Sequence, residues 1–154
     1  MELERSLREV GVLALELQPP LVLEETSSVG DVVRAMQDSH GYALITENKR
    51  LVGIFTERDV LLSVLGNDAV LAQPVSEHMT ADPVCVGTKD PVRQVLMLMY
   101  QGGYRHIPIV DATGQVAGCV RHKDIAACLV NHFAEYVLNL PPDPEQIART
   151  PEGG

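Results

Sequence analysis

The chain has 154 residues, of which 45% are hydrophobic, and a net charge of −9 at pH 7. This composition is typical of one globular domain, or of one duplicated domain, and excludes a disordered chain. The negative charge argues against sequence-independent binding of nucleic acid, which needs a basic surface, although a local basic cluster can still hold a small anion. The apolar runs are too short and too interrupted to span a bilayer.

The first half of the chain predicts a β-α-β-β-α unit over residues 18–66. After an extended opening segment, Ser28 is a typical helix N-cap and precedes a run with helical apolar spacing. Gly41 is typical of the end of that helix. Two strands follow at 42–46 and 51–55, and the polar residues between them indicate a hairpin. A second helix then closes the unit.

The second half repeats the same order over residues 79–138. Pro91 is expected at the first helical position, and Gly103 follows the end of that helix. Strands are predicted at 106–110 and 116–120, and a long helix closes the unit. The recurrence of the whole order indicates internal duplication. The predicted fold class is therefore α+β, built from tandem β-α-β-β-α repeats.

Three segments lie outside the two units. Residues 1–17 are expected to form an appendage with a helix and a short strand, and residues 67–78 a linker with one short helical turn. Residues 139–154 contain several prolines and no apolar periodicity, which predicts a mobile tail. The acidic start of the chain does not resemble a signal peptide, so a cytoplasmic location is the default expectation.

The junction between strand and helix at residues 53–59 carries the most informative chemistry. Thr56 falls where the strand ends, and its hydroxyl can cap the helix. Asp59 lies three residues later on the same face and can accept hydrogen bonds from the two hydroxyls of a ribose. The alternative is that Thr56 is only a cap and that Asp59 interacts favourably with the helix dipole.

The same junction in the second unit differs at one position. Arg121 replaces the threonine, whereas Asp124 is retained. Arg121 can pair with Asp124 and fill the pocket, or it can bind a phosphate group. The sequence leaves both alternatives open.

No catalytic or metal-binding arrangement is evident in the sequence. His132 and Glu135 could nominally hold a metal ion, but we interpret them as part of a solvated helix face. There is no nucleophile elbow and no glycine-rich phosphate loop, so no enzymatic activity is expected. The cysteines lack metal-type spacing and are interpreted as small buried hydrophobic side chains. They are Cys85, Cys119 and Cys128.

Together these features resemble the CBS domain pair, or Bateman module, over residues 17–138. The resemblance rests on the duplication, on the Gly-apolar-x-Thr-x-x-Asp stretch at 53–59 and on Met-Thr-x-Asp-Pro-Val at 79–84. Arg-His-Ile-Pro-Ile-Val-Asp at 105–111 is a further match. The proline-rich segment after the last helix is similar to stand-alone bacterial members.

The resemblance implies two units packed about a pseudo-twofold axis, with two clefts between them. It also implies a regulatory module without catalysis, which binds AMP, ADP, ATP or S-adenosylmethionine, requires no cofactor and pairs into a homodimer. The alternative from another class is a ligand-free scaffold, whose exposed helix faces and residues 1–17 dock another protein.

The resemblance further implies that each cleft combines residues of both units. The first cleft would contain Thr56, Asp59, Thr80, Pro83, Val84, Arg105, His106 and Pro108. The second cleft would contain Leu21, Val22, Tyr42, Arg121 and Asp124. No metal ligand is implied in either cleft.

Arg105 and His106 distinguish the two clefts. In the family, basic residues just before the apolar–proline step face the nucleotide phosphates. The alternative is that Arg105 pairs with a surface carboxylate and that His106 fills half-buried space. Tyr42 and its neighbours stand at the same place in the first unit, without a basic residue. The first cleft, which has both the ribose motif and the basic pair, is therefore the favoured site.

Overall fold

The computed structural model describes residues 2–38 and 41–138. The predicted tail at 139–154 lies outside the described residues. The helices and strands follow one another in the order α1 (Glu2–Glu9), β1 (Val22–Glu24), α2 (Val29–Gln37), β2 (Tyr42–Glu47), β3 (Arg50–Thr56), α3 (Glu57–Ser63), β4 (Thr80–Ala81), β5 (Val86–Gly87), α4 (Val92–Gly102), β6 (His106–Val110), β7 (Val116–Arg121) and α5 (His122–Leu138). None of the helices among these residues is long and apolar enough to cross a membrane.

The strands form two sheets, one for each repeat. The first sheet has the order β1-β2-β3-β4 and the second β5-β6-β7. In each sheet the opening strand is parallel to the next one, and the hairpin that follows is antiparallel. This architecture confirms the predicted α+β fold of tandem β-α-β-β-α repeats about a pseudo-twofold axis.

β4 connects the second repeat to the sheet of the first. Its two residues pair antiparallel with β3, so that Ala81 lies opposite Gly53 and Thr80 opposite Ile54. The repeat order predicts a single opening strand for the second unit at this point. The chain instead forms two short strands, because Asp82 adopts a left-handed φ of 48° that redirects the backbone between them.

Most of the predicted helix boundaries follow local side-chain chemistry. The side chain of Ser28 accepts a hydrogen bond from the Asp31 N–H at 3.1 Å and so caps α2 as expected. Gly103 has a φ of 69° and ends α4. The prediction for Pro91 was wrong by one position: its backbone is extended and it is the N-cap, so that α4 begins at Val92.

The amino-terminal segment is part of the core of the second unit. Leu7 and Val12 are buried there, with 5% and 0% of their surface exposed. The backbone is paired as well, since Val12 donates to the Asp90 carbonyl at 3.0 Å and Val92 donates to the Val10 carbonyl at 2.8 Å. The short strand expected in this segment is replaced by a 3-10 turn at Val12–Ala14.

The linker packs on the first unit in the same way. Val75 donates to the Ser27 carbonyl at 2.8 Å, and Val29 donates to the Gln73 carbonyl at 2.9 Å. Val75 is fully buried in the core of the first unit, together with Val70. Each repeat is therefore completed by the segment that precedes the other repeat. This exchange ties the two units together.

The two sheets also contact each other directly. Tyr42, Leu44, Ile54 and Cys119 form a buried cluster that contains side chains of both units. The Leu51 N–H donates to the Gly114 carbonyl at 3.0 Å and joins the two hairpins. The hairpin of β2 and β3 and the hairpin of β6 and β7 are thereby brought close together.

The burial of the cysteines differs from the prediction at one position. Cys119 is buried in the contact between the units and Cys128 is partly buried, as expected for small hydrophobic side chains. Cys85 is exposed, so the prediction was wrong there. It lies in the connection between β4 and β5, where the short strands leave it outside either core.

Candidate functional site

The first candidate site is built at the junction of β3 and α3. β3 ends at Thr56 and α3 begins at Glu57, so that Asp59 lies in the first turn of the helix. The Asp59 Oδ2 accepts hydrogen bonds from the Thr56 N–H at 2.9 Å and from the Thr56 hydroxyl at 3.1 Å. These bonds fix the carboxylate at the end of the strand. The bond from the Thr56 N–H is also the one that an acidic residue makes in a capping box at a helix start.

β4 brings Thr80 to the same carboxylate. Its Oγ1 donates to the Asp59 Oδ1 at 3.3 Å, across the pairing of β3 with β4. Thr56 and Thr80, two of the residues assigned to the first cleft, therefore both contact the carboxylate of Asp59. Both side-chain donors are neutral hydroxyls on partly or fully exposed residues. Hydroxyls of a ligand can take over such bonds at little net cost, because one hydrogen bond replaces another.

The corresponding junction of the second unit is occupied by an ion pair. The Arg121 Nε donates to the Asp124 Oδ2 at 3.2 Å, and the Arg121 Nη2 donates to Oδ1 at 2.9 Å. The two side chains are 21% and 9% exposed. The bond to Asp124 is the main cause that raises the pKa of the Arg121 guanidinium. Of the two alternatives left open by the sequence, the structure shows the pairing of Arg121 with Asp124.

Tyr42 and His106, which were assigned to different clefts, lie against each other. Their ring centroids are 4.7 Å apart and the ring planes are tilted by 35°. Tyr42 is opposite Thr56 on β3, and His106 is opposite Arg121 on β7. One residue assigned to each candidate cleft therefore lies in this pair of rings.

Burial and neighbouring charges keep His106 neutral at pH 7. Burial lowers the pKa of its imidazole, and the positive charges nearby lower it further, to about 4. The neighbours that lower the pKa are His122, Arg121 and Arg105, whereas the carboxylate of Asp124 acts in the opposite direction. Burial also raises the pKa of the Tyr42 hydroxyl. His106 is thus a neutral polar group at this point and not a cation.

Arg105 remains as an exposed cation beside this ring pair. Its carbonyl accepts a hydrogen bond from the His122 N–H at 2.9 Å, which fixes the backbone between β6 and α5. No ion pair of Arg105 is found among residues 2–38 and 41–138, so the alternative, a pairing with a surface carboxylate, is not formed there.

The apolar residues predicted for the clefts have different environments. Pro83 is half-buried between β4 and β5, and Val84 packs against the core of the second unit. Pro108 is buried in β6 opposite Cys119 and exposes little surface to a ligand. On the other side, Leu21 packs against the core of the first unit, whereas Val22 is 41% exposed on β1.

The structure also contains a groove that the sequence did not predict. It has a volume of about 300 Å³ and lies between the amino-terminal segment and α5. Glu16, Asp124 and Cys128 are among the residues that line it. Two small side chains of α5, those of Ala127 and Cys128, line it on the helix side. No group of three or more side chains suited to a metal ion occurs in the part of the chain that the structure describes.

Comparisons with known proteins identify the same repeated unit. A family model described as the CBS domain matches residues 14–66 and 75–131. The chain is 29% identical to the 17.7 kDa protein in the bps2 3' region of Acidianus ambivalens, over 71% of this chain and 67% of the relative. It is 33% identical to CBSCBSPB5 of Arabidopsis thaliana, over 82% of its own length and 23% of that protein.

A solved structure supports the match in three dimensions. The CBS domain protein PAE2072 from Pyrobaculum aerophilum, complexed with AMP, superposes with a TM-score of 0.70 at 26% identity. The alignment covers 81% of this chain and 99% of that one. The two segments that match the family model follow the β-α-β-β-α order of the two repeats, the second as far as residue 131 within α5. The chain therefore belongs to the CBS domain family and forms a CBS domain pair.

Proposed function

We propose that the protein is a regulatory module that binds an adenosyl ligand in the first cleft and does not catalyse a reaction. The observation that carries this proposal is the contact of the Asp59 carboxylate with the hydroxyls of Thr56 and Thr80, at 3.1 and 3.3 Å. The AMP complex of the Pyrobaculum aerophilum protein supports the choice of ligand class. Candidates are AMP, ADP, ATP and S-adenosylmethionine.

In this proposal Asp59 accepts hydrogen bonds from the ribose hydroxyls of the ligand. The hydroxyls of Thr56 and Thr80 rotate away from the carboxylate and bond to the ligand or to water. Pro83 and Val84 provide half-buried apolar surface for the adenine. Arg105 supplies the positive charge for a phosphate, since His106 is neutral at pH 7. Ligand binding then shifts the population toward one packing of the two units, which a partner protein can recognise.

Replacing Asp59 with asparagine tests this proposal. The amide keeps the shape of the side chain but removes the charge that strengthens its hydrogen bonds to a ribose. We expect the affinity to fall by about 1.5–3 kcal/mol, or roughly 10- to 150-fold. Isothermal titration calorimetry with each of the four candidate ligands measures the effect. Thermal unfolding shows whether the variant is folded.

Asp68→Asn is the matched control, because Asp68 is exposed in the linker. This variant should bind like the wild type. An unchanged affinity of D59N would contradict the role of Asp59. No heat from any of the four ligands at millimolar concentration would exclude the proposed function for these ligands, and ATP turnover above the buffer rate would contradict the non-catalytic assignment.

We also propose that the chain forms a homodimer through exposed apolar side chains of its helices. Leu61 and Leu62 on α3 are 63% and 75% exposed, Tyr100 on α4 is 89% exposed and Phe133 on α5 is 63% exposed. Soluble monomers rarely expose large contiguous patches of such side chains. Sedimentation equilibrium should give twice the mass of the chain, and the double variant Tyr100→Glu with Phe133→Glu should give the monomer mass. A wild-type monomer at micromolar concentration would contradict this.

The same exposed side chains favour the second candidate function, a ligand-free scaffold for another protein. The scaffold differs from the first proposal in one measurable way. Its melting temperature and its capture of a partner would not change when nucleotides are added, whereas a ligand-sensing module is stabilised by its ligand.

A further inference from the structure

The two strand-to-helix junctions hold their carboxylates with the same backbone bond. The Thr56 N–H donates to the Asp59 Oδ2 at 2.9 Å, and the Arg121 N–H donates to the Asp124 Oδ2 at 2.8 Å. The backbone therefore holds the carboxylate of Asp124 in the same way as that of Asp59. What differs is the set of side-chain groups that already occupy its oxygens.

In the first junction these groups are two hydroxyls from two different strands, at 3.1 and 3.3 Å. In the second junction a single guanidinium bonds to both oxygens, at 3.2 and 2.9 Å. The fork of Arg121 thus takes the place that both hydroxyls take in the first unit. Hydrogen bonds between ionised groups are roughly twice as strong as bonds between neutral groups, and two parallel bonds also fix the geometry.

Neither the ribose nor the phosphate of a nucleotide can separate Arg121 from Asp124 without an unfavourable change. A ribose that took its place would bring neutral donors to Asp124 and leave the guanidinium unpaired, although its side chain is only 21% exposed. A phosphate that bound Arg121 instead would leave the carboxylate of Asp124 unpaired, at 9% exposure, beside a second negative charge. Both outcomes separate Arg121 from Asp124, and breaking a largely buried ion pair is costly because it leaves an unpaired charge.

We propose that Arg121 closes the second ribose site, so that wild-type protein binds one adenosyl ligand per chain while a second, preformed site remains latent beneath the guanidinium. This inference rests on the proposed function of the first cleft. It assigns Arg121 a specificity role: it sets the number of ligands that the module can hold.

Replacing Arg121 with threonine, the residue of the first junction, tests the inference in the full chain. The quantity measured is the number of AMP molecules bound per chain, by calorimetry up to millimolar AMP. We expect one site in the wild type and one additional site in R121T. Adding Asp124→Asn to R121T should remove the additional site again, which shows that the gain depends on the exposed carboxylate.

Arg121→Gln is a second variant that keeps most of the side chain for packing while it removes the charge. Thermal unfolding selects whichever of the two variants is folded. A folded variant without an additional site overturns the inference, as does a wild type that already binds two AMP. If the wild type binds no AMP, the function proposed for the first cleft fails. A gain from zero sites to one in R121T would still support the role of Arg121. If neither protein binds AMP, the role of Arg121 is overturned as well.

Discussion

Replacing Leu7 and Val12 together with alanine should lower the free energy of unfolding by about 4–6 kcal/mol. Both side chains are buried in the core of the second unit, with 5% and 0% of their surface exposed. Their truncation removes apolar contacts and leaves cavities in a segment that the Val12 and Val92 backbone bonds hold in place. Since domains of this size are stable by roughly 5–15 kcal/mol, the loss is a large share of the total. Urea unfolding at equilibrium measures it.

Leu13→Ala is the matched control within the same segment. Leu13 is 57% exposed, so its truncation should change the stability by no more than about 0.5 kcal/mol. If the double variant were as stable as L13A, the amino-terminal segment would not be part of the core. The expected result has a functional consequence, because Leu7 and Val12 cannot dock a partner while they stabilise the second unit.

The repeat order and most helix starts could be predicted from the sequence because local chemistry determines them. Ser28 caps α2 with its own side chain, and Gly103 ends α4 with a backbone conformation that glycine favours. The destination of the amino-terminal segment and the linker could not be predicted. Their apolar residues indicate that they pack on a core, but an apolar pattern does not identify which core. The amino-terminal segment packs on the second repeat, and the linker packs on the first.

The candidate site, too, was predictable only where local chemistry determines it. The Thr56 and Asp59 contact lies within one turn of chain and follows from its spacing. The pairing of Arg121 with Asp124 depends on the conformation of a long side chain and on its burial, which a sequence does not determine. The contact of Tyr42 with His106 depends on how the two sheets face each other, and the neutral state of His106 follows from that packing.

Stability should fall in acid because of His106, and the variant His106→Phe should remove this part of the pH dependence. The pKa of His106 is about 4 in the folded protein, below the ordinary value of 6.5. As the pH falls, the unfolded chain therefore binds the proton first. The contribution of the neutral ring is complete above about pH 6.5 and is lost as the pH falls toward 4. We expect a loss of roughly 2–3 kcal/mol between pH 7.5 and pH 4.5.

Denaturant unfolding of both proteins at these two pH values measures the effect. Carboxylates titrate in the same range, but they do so in both proteins, so the difference between them isolates His106. Phenylalanine can keep the ring contact with Tyr42, which separates protonation from packing. The titratable and charged groups around the ring are Arg105, Arg121, His122 and Asp124, of which the first three lower its pKa and Asp124 raises it. An equal loss of stability in wild type and H106F would show that the ring accepts its proton in the folded state as readily as in the unfolded chain.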